Sequence, residues 1–183
     1  MSVLKNNKPF FLFLLKFGIS YFVLGVIYWL YLSQYNASQF ETDGITTIVT
    51  KQARDVLLWT GHDASIEPHT SEASYRLLLD GDSKVRIVEG CNAISVMILF
   101  TAFIIAFSSA LKRTLLYIIS GIIILYVLNI IRIALLVLGF NYYPEQKELL
   151  HDIVFPLFIY GVVFVLWVAW VMKFSANGKR NKN

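Results

Sequence analysis

Residues 85–100, VRIVEGCNAISVMILF, mark the point where a polar stretch gives way to a long apolar one, and they hold Cys91, the single cysteine of the chain. On the apolar side the run extends to residue 110. It is one of four such runs, at 10–32, 92–110, 114–140 and 153–174. Each is long enough to cross a hydrocarbon core of about 30 Å, which takes about 20 helical residues. The 183-residue chain is 57% hydrophobic, against about 45–50% for an average soluble domain, and its mean hydropathy is positive. The pattern predicts a mainly α polytopic membrane protein. Residues 1–183 form a single membrane domain, with a four-span helical bundle, an external segment at 33–91 and a basic cytoplasmic tail at 175–183. The first run is longer than the roughly 7–15 apolar residues of a secretory signal core, and no small-x-small cleavage site follows it. It reads as a retained span, with Lys16 snorkelling to the near surface.

Charge sets the orientation. Lys5 and Lys8 precede the first run, Lys112 and Arg113 fill the tight turn between the second and third, and Lys173, at the very end of the fourth, leads into Lys179, Arg180 and Lys182. None of these pieces holds an acidic residue, and all 12 Asp and Glu lie in 33–91 and 141–152. The positive-inside rule puts both termini in the cytoplasm and the acidic connections outside. Tyr28, Trp29, Tyr31 and Tyr35 mark the outer end of the first span, and Tyr142 and Tyr143 that of the third. The net charge of +4 is therefore a basic inside added to an acidic outside, and it gives no reason to expect nucleic acid.

On the polar side of the junction, 33–91 is too long for a plain connection. Ile45, Ile48, Val49, Ala53, Val56 and Leu57 follow helical spacing, with Lys51, Gln52, Arg54 and Asp55 between them. This predicts an amphipathic helix on the outer membrane surface or packed over the bundle. The stretch SYRLLLDGDSKVRIVEGC predicts a β-hairpin around the turn Asp80-Gly81-Asp82-Ser83. The external segment is thus a small α+β unit. Cys91 is held between a strand and a helix, with Gly90 allowing an abrupt turn.

Three residues carry chemical interest. One cysteine excludes an internal disulfide and any CxxC redox or zinc pattern. Cys91 is either a small, soft hydrophobe at a helix start or a thiol whose thiolate is favoured by the free N–H groups at the N-terminus of the second span. Arg132 lies eight residues before Phe140, roughly 12 Å below the outer end of the third span. An arginine at that depth costs about 2.5–3.5 kcal/mol on insertion scales, so it faces a polar interior with a partner, or snorkels outward. Asn129 lies one turn earlier on the same face. His151 follows Pro144, Glu145 and Glu148, which suit the start of a helix. Pro156 should kink that helix. His62 and His69 lie in the outer loop without matching ligands, so no metal site is indicated. All three residues fall in the outer half of the bundle on three different helices. A thiol, an imidazole and a guanidinium are the parts of an acyl-transfer site.

The segments EGCNAI, NIIRIALL and LLHDIVFPLFIYG, taken in order, resemble the three signature regions of the exosortase/archaeosortase family, over about residues 85–172. Among its members the chain most resembles the compact exosortases of the Bacteroidetes type, the exosortase F subgroup, having one span before the cysteine where the longer members have more. The resemblance implies a cysteine transpeptidase or protease of protein sorting. Its catalytic residues would be Cys91 as nucleophile, Arg132 as stabiliser of the oxyanion and His151 as general acid and base. Asn92, Asn129, Glu89 and Asp152 are candidates to support them: the asparagines by orienting the arginine or the carbonyl, the carboxylates by pairing with Arg132 or His151. It also implies a multi-pass protein of the bacterial inner membrane with its site facing the periplasm. The substrates would be secreted proteins with a C-terminal motif, a transmembrane helix and a basic tail, with room for an accessory membrane protein. No metal or organic cofactor is implied. Two other classes fit the residues: a non-enzymatic assembly or accessory subunit whose Arg132 pairs with another protein, and a thiol acyltransferase acting on lipid-derived thioesters. A thiol oxidase would need paired cysteines.

Overall fold

The computed structural model describes residues 7–175. Lys5, the basic residues Lys179, Arg180 and Lys182, and most of the tail at 175–183 lie outside the described residues. The fold is mainly helical with a small sheet. Helix α1 spans Lys8–Leu32. A 3-10 turn at Ala37–Gln39 leads to α2, Gly44–Trp59. Strands β1 (Ala64–Pro68), β2 (Tyr75–Leu79) and β3 (Asp82–Ile87) follow. A 3-10 turn at Glu89–Cys91 then leads to α3, Ile94–Ala106, and α4 covers Leu111–Tyr142. Beyond a 3-10 turn at Pro144–Gln146, the last helical stretch opens as a π turn at Leu149–Val154. It continues as α5, Phe155–Trp170, and ends in a second π turn at Val171–Ser175.

Three stretches are long and apolar enough to cross a membrane: Lys8–Leu32, Leu111–Tyr142 and Leu149–Lys173. The run at 92–110 does not give a fourth helix of that length. Its helix has 13 residues, roughly 20 Å at 1.5 Å per residue. It is short because each end of the run is spent on a turn. The Cys91 turn and Ala93, in the left-handed conformation at φ 62°, take the first residues. Beyond Ala106, the chain bends so that Thr114 Oγ1 accepts from the Ser109 amide. Ala93 makes the abrupt turn that the sequence assigns to Gly90, which lies inside the 3-10 turn and is not at positive φ.

Helices α3, α4 and α5 pack against one another, and α1 lies along α3. Their shared core is Met97, Phe100 and Ile104 from α3, Leu125 from α4, and Ile159, Val163 and Trp170 from α5. Gly121 lets α3 approach α4: a Cβ there would overlap the Phe100 ring. Near the C-terminal end of α5 the Trp170 indole donates to the Phe107 carbonyl at 3.1 Å. Helix α1 has no buried residue and turns large apolar side chains outward, as lipid contact requires.

A second core lies above this one. Helix α2 packs over the C-terminal half of α4 with Val49, Ala53 and Leu57 fully buried. Ile48 is exposed, so the buried face is narrower than the apolar spacing suggests. Asp43 caps α2, accepting from the Thr46 amide at 2.9 Å. The sheet adds Leu77, Leu79, Val85 and Ile87, and α4 adds Ile133, Leu136 and Val137. The expected hairpin is β2–β3 of a three-stranded antiparallel sheet, ordered β1-β2-β3. Its tight turn is Asp80-Gly81 alone, at φ 53° and 82°, the pair of positive φ angles that a two-residue hairpin turn demands. Asp82 and Ser83 already belong to β3.

Candidate active site

The chain from Ile87 to Ile94 must leave a sheet and enter an apolar helix within a few residues. It does so through the Glu89–Cys91 turn, which is tied down on every side. The Cys91 amide donates to the Val88 carbonyl at 2.9 Å. The Cys91 carbonyl accepts from Asn129 Nδ2, on α4, at 2.9 Å. Asn92 Oδ1 accepts from the Ile94 amide at 2.9 Å. Asn92 Nδ2 donates to the Tyr28 hydroxyl at 2.9 Å and to Thr46 Oγ1 at 3.1 Å. The Tyr28 hydroxyl in turn donates to Glu89 Oε1 at 2.5 Å. Helices α1, α2 and α4 therefore all grip the cysteine turn. Cys91 stands three residues before α3, inside the 3-10 turn, rather than on the first turn of the helix.

Ala93 is part of this arrangement. A non-glycine residue in the left-handed region costs about 1–2 kcal/mol and persists only where its surroundings impose it. The clasp on Asn92 from one side and the packing of Met97 and Phe100 from the other impose it here.

Arg132 lies three residues, about one turn, beyond Asn129 on α4. Cys91 and the phenol of Tyr160, on α5, lie close enough to act on its guanidinium electrostatically. Among the described residues Arg132 makes no ion pair, and its buried Nε has no hydrogen-bond partner. Asn129 is fully buried, and its Oδ1 also has no partner. The same helix face thus offers, beside Cys91, one unsatisfied donor and one unsatisfied acceptor. Buried polar groups are normally paired, and an unpaired one costs about 1–3 kcal/mol.

His151 occupies a different level. It lies on the π turn that opens the last helical stretch, where the Phe155 amide reaches back to the Leu150 carbonyl. Pro156 explains the wide turn: it has no N–H, and its ring crowds the carbonyl four residues back, so the regular ladder cannot run through it. The imidazole is exposed, and its Nδ1 lies 2.6 Å from Asp152 Oδ1. It lines a cavity of about 360 Å³ with Lys84, Val85, Arg86, Phe140, Lys147, Glu148 and Asp152. Among the described residues it has no hydrogen bond to Cys91 or Arg132. The structure therefore joins Cys91, Arg132, Asn129, Asn92 and Glu89 in one neighbourhood and leaves His151 with Asp152 on the wall of the cavity above.

Glu89 is bonded to Tyr28, not to Arg132 or His151. Tyr28, Thr46 and Tyr160 are the residues that sequence reasoning passes over. Tyr28 reads as one more aromatic of the outer belt, and Thr46 as a polar position between apolar ones. Only the 61-residue separation between Tyr28 and Glu89, closed in space, reveals the first. The loop histidines are engaged locally: His62 Nδ1 lies 3.0 Å from Thr60 Oγ1, and His69 Nε2 lies 3.3 Å from Glu72 Oε1. Among the described residues no cluster of metal-ligating side chains occurs.

No curated protein and no solved structure matches the chain. The family model for transmembrane exosortases matches residues 8–172, which takes in the cysteine turn, Arg132, His151 and all the helices described. The chain belongs to the transmembrane exosortase family, whose members are known as transpeptidases.

Proposed function

We propose that the protein is a membrane-embedded cysteine transpeptidase or protease that cleaves the C-terminal sorting signal of secreted proteins at the outer membrane–water interface. The observation that carries this reading is the unpaired Arg132 donor beside Cys91, with the cysteine carbonyl fixed from the same helix face by Asn129. A guanidinium whose buried Nε has no partner, and which meets no carboxylate among the described residues, is preorganised for a charge that appears only during reaction.

The steps follow from those groups. The Cys91 thiolate attacks the peptide carbonyl carbon and a C–S bond forms. The carbonyl π electrons move to oxygen, where Arg132 donates to the oxyanion. Collapse breaks the C–N bond, and His151 gives its proton to the leaving amine. The substrate's tail helix departs and a thioester remains on Cys91. An acceptor amine, or water, attacks the thioester, His151 takes up its proton, and the thiolate leaves. His151 reaches the scissile nitrogen from the cavity wall, so substrate docking draws the π turn toward Cys91. Asp152, hydrogen-bonded to Nδ1, leaves Nε2 to carry the proton that is exchanged.

The same proposal carries four crossings, with the short α3 as one of them, both termini in the cytoplasm of a bacterial inner membrane and the site facing the periplasm. Its substrates are secreted proteins ending in a motif, a transmembrane helix and a basic tail. The test is Cys91→Ala, Arg132→Ala and His151→Ala, each scored for processing of a co-expressed tail-anchored secreted protein at matched protein levels. Loss of processing in all three is expected; normal processing in all three removes the enzyme. Labelling of Cys91 by a maleimide from the cytoplasmic side alone would overturn the orientation.

A further inference from the structure

We propose that Tyr28, in the first membrane helix, is a positioning residue that keeps the Glu89 carboxylate away from Cys91 and Arg132. This rests on the roles given above to those two residues. Glu89 is the one carboxylate of the cysteine turn, two residues before the sulfur. Its Oε1 is held by the Tyr28 hydroxyl at 2.5 Å, and the same oxygen of Tyr28 accepts from Asn92, on the other side of Cys91, at 2.9 Å. One phenol thus pins the residues flanking the nucleophile, and does so from a helix that has no buried residue.

The charges say why this matters. Arg132 is left without an acidic partner among the described residues. A carboxylate freed within the cysteine turn would be attracted to that guanidinium, because opposite charges in a low-dielectric site attract far more strongly than in water. The ion pair would occupy the group that meets the oxyanion. It would also set a negative charge beside the sulfur and cancel the positive one, and both changes disfavour the thiolate. Tyr28 prevents this by giving the carboxylate a neutral donor on α1. A brace that merely stiffened the turn would be indifferent to the charge at position 89, whereas this one depends on it.

Cys91 is the only cysteine, so alkylation by a small uncharged thiol reagent reads the site directly in the full-length protein, with no substrate needed. Tyr28→Phe should slow alkylation at neutral pH by about tenfold, and adding Glu89→Gln should restore it to within about threefold of the parent rate. A second pair leaves the first helix intact: Glu89→Asp, too short to reach the phenol, should slow the reaction more than Glu89→Gln does. Alkylation in Tyr28→Phe as fast as in the parent, or a double variant no faster than Tyr28→Phe, overturns the proposal. Processing of the tail-anchored substrate should follow the same order. If Cys91→Ala still processes it, the enzyme falls while the alkylation rates continue to decide the role of Tyr28.

Discussion

Replacing Asn129 with leucine separates what holds the fold from what holds the site. The two side chains share a branching pattern, leucine being somewhat larger. The change removes the 2.9 Å bond to the Cys91 carbonyl and leaves that carbonyl without its donor, at a cost of about 1–3 kcal/mol. It also removes Asn129 Oδ1, a buried acceptor that is already unpaired and carries a penalty of the same order. Leucine then gains roughly 1 kcal/mol or more from apolar burial between Leu125 and Ile133, itself offset in part by its extra volume. The opposing contributions nearly cancel. The thermal midpoint of the purified protein in detergent should move by no more than a few degrees, since about 1 kcal/mol corresponds to about 2–4 °C in a chain of this size. The cysteine turn, no longer tied to α4, should lose register with Arg132, and processing should fall at least about tenfold, the equivalent of 1.4 kcal/mol of lost positioning. Measuring the melt and the processing rate on one preparation makes the contrast. Processing within threefold of the parent, with the melt unchanged, would show that the Asn129–Cys91 bond does not position the nucleophile.

Gly121→Ala drives a methyl group into the Phe100 ring and should destabilise the bundle by about 1–3 kcal/mol, read as a lower thermal midpoint. Ala93→Val places a β-branched residue at φ 62° and should lower the thermal midpoint, whereas Ala93→Gly removes the Cβ penalty that alanine already bears there and should hold or raise it in the same melt. Asp43→Ala removes the cap of α2 and should cost about 1 kcal/mol while leaving the Cys91 alkylation rate within twofold. Arg132→Lys keeps the charge but loses the planar fork, and should lower processing nearly as far as Arg132→Ala does; recovery by lysine to near the parent rate would reduce the residue's role to a bare charge.

Much of this architecture is written in local pattern. The three long apolar stretches follow from hydropathy alone, since nothing else accommodates that many consecutive apolar residues. The Asp80-Gly81 turn and the Val49, Ala53 and Leu57 face of α2 follow from turn chemistry and helical spacing. Arg132 stands out because an intramembrane charge is expensive. The rest depends on contacts that no local window contains. Strand β1, ASIEP, is short and ends in proline, and it becomes a strand only by pairing with β2. The short α3 results from a left-handed alanine, which ordinary propensity disfavours and the surrounding hydrogen bonds enforce. Spacing and depth bring Cys91 and Arg132 to the same half of the bundle, yet they do not foresee that Tyr28 and Thr46 clasp the cysteine turn, or that a π turn sets His151 against a cavity beside Asp152.

The acyl-transfer chemistry itself is tested most directly by trapping the covalent intermediate. His151→Ala, co-expressed with a tail-anchored secreted protein and digested without reducing thiols, should yield a Cys91 peptide whose mass is raised by the substrate fragment upstream of the cut, and hydroxylamine should release that fragment. An unmodified Cys91 in every preparation, together with undiminished processing by Cys91→Ala, would contradict a role for this sulfur as the nucleophile.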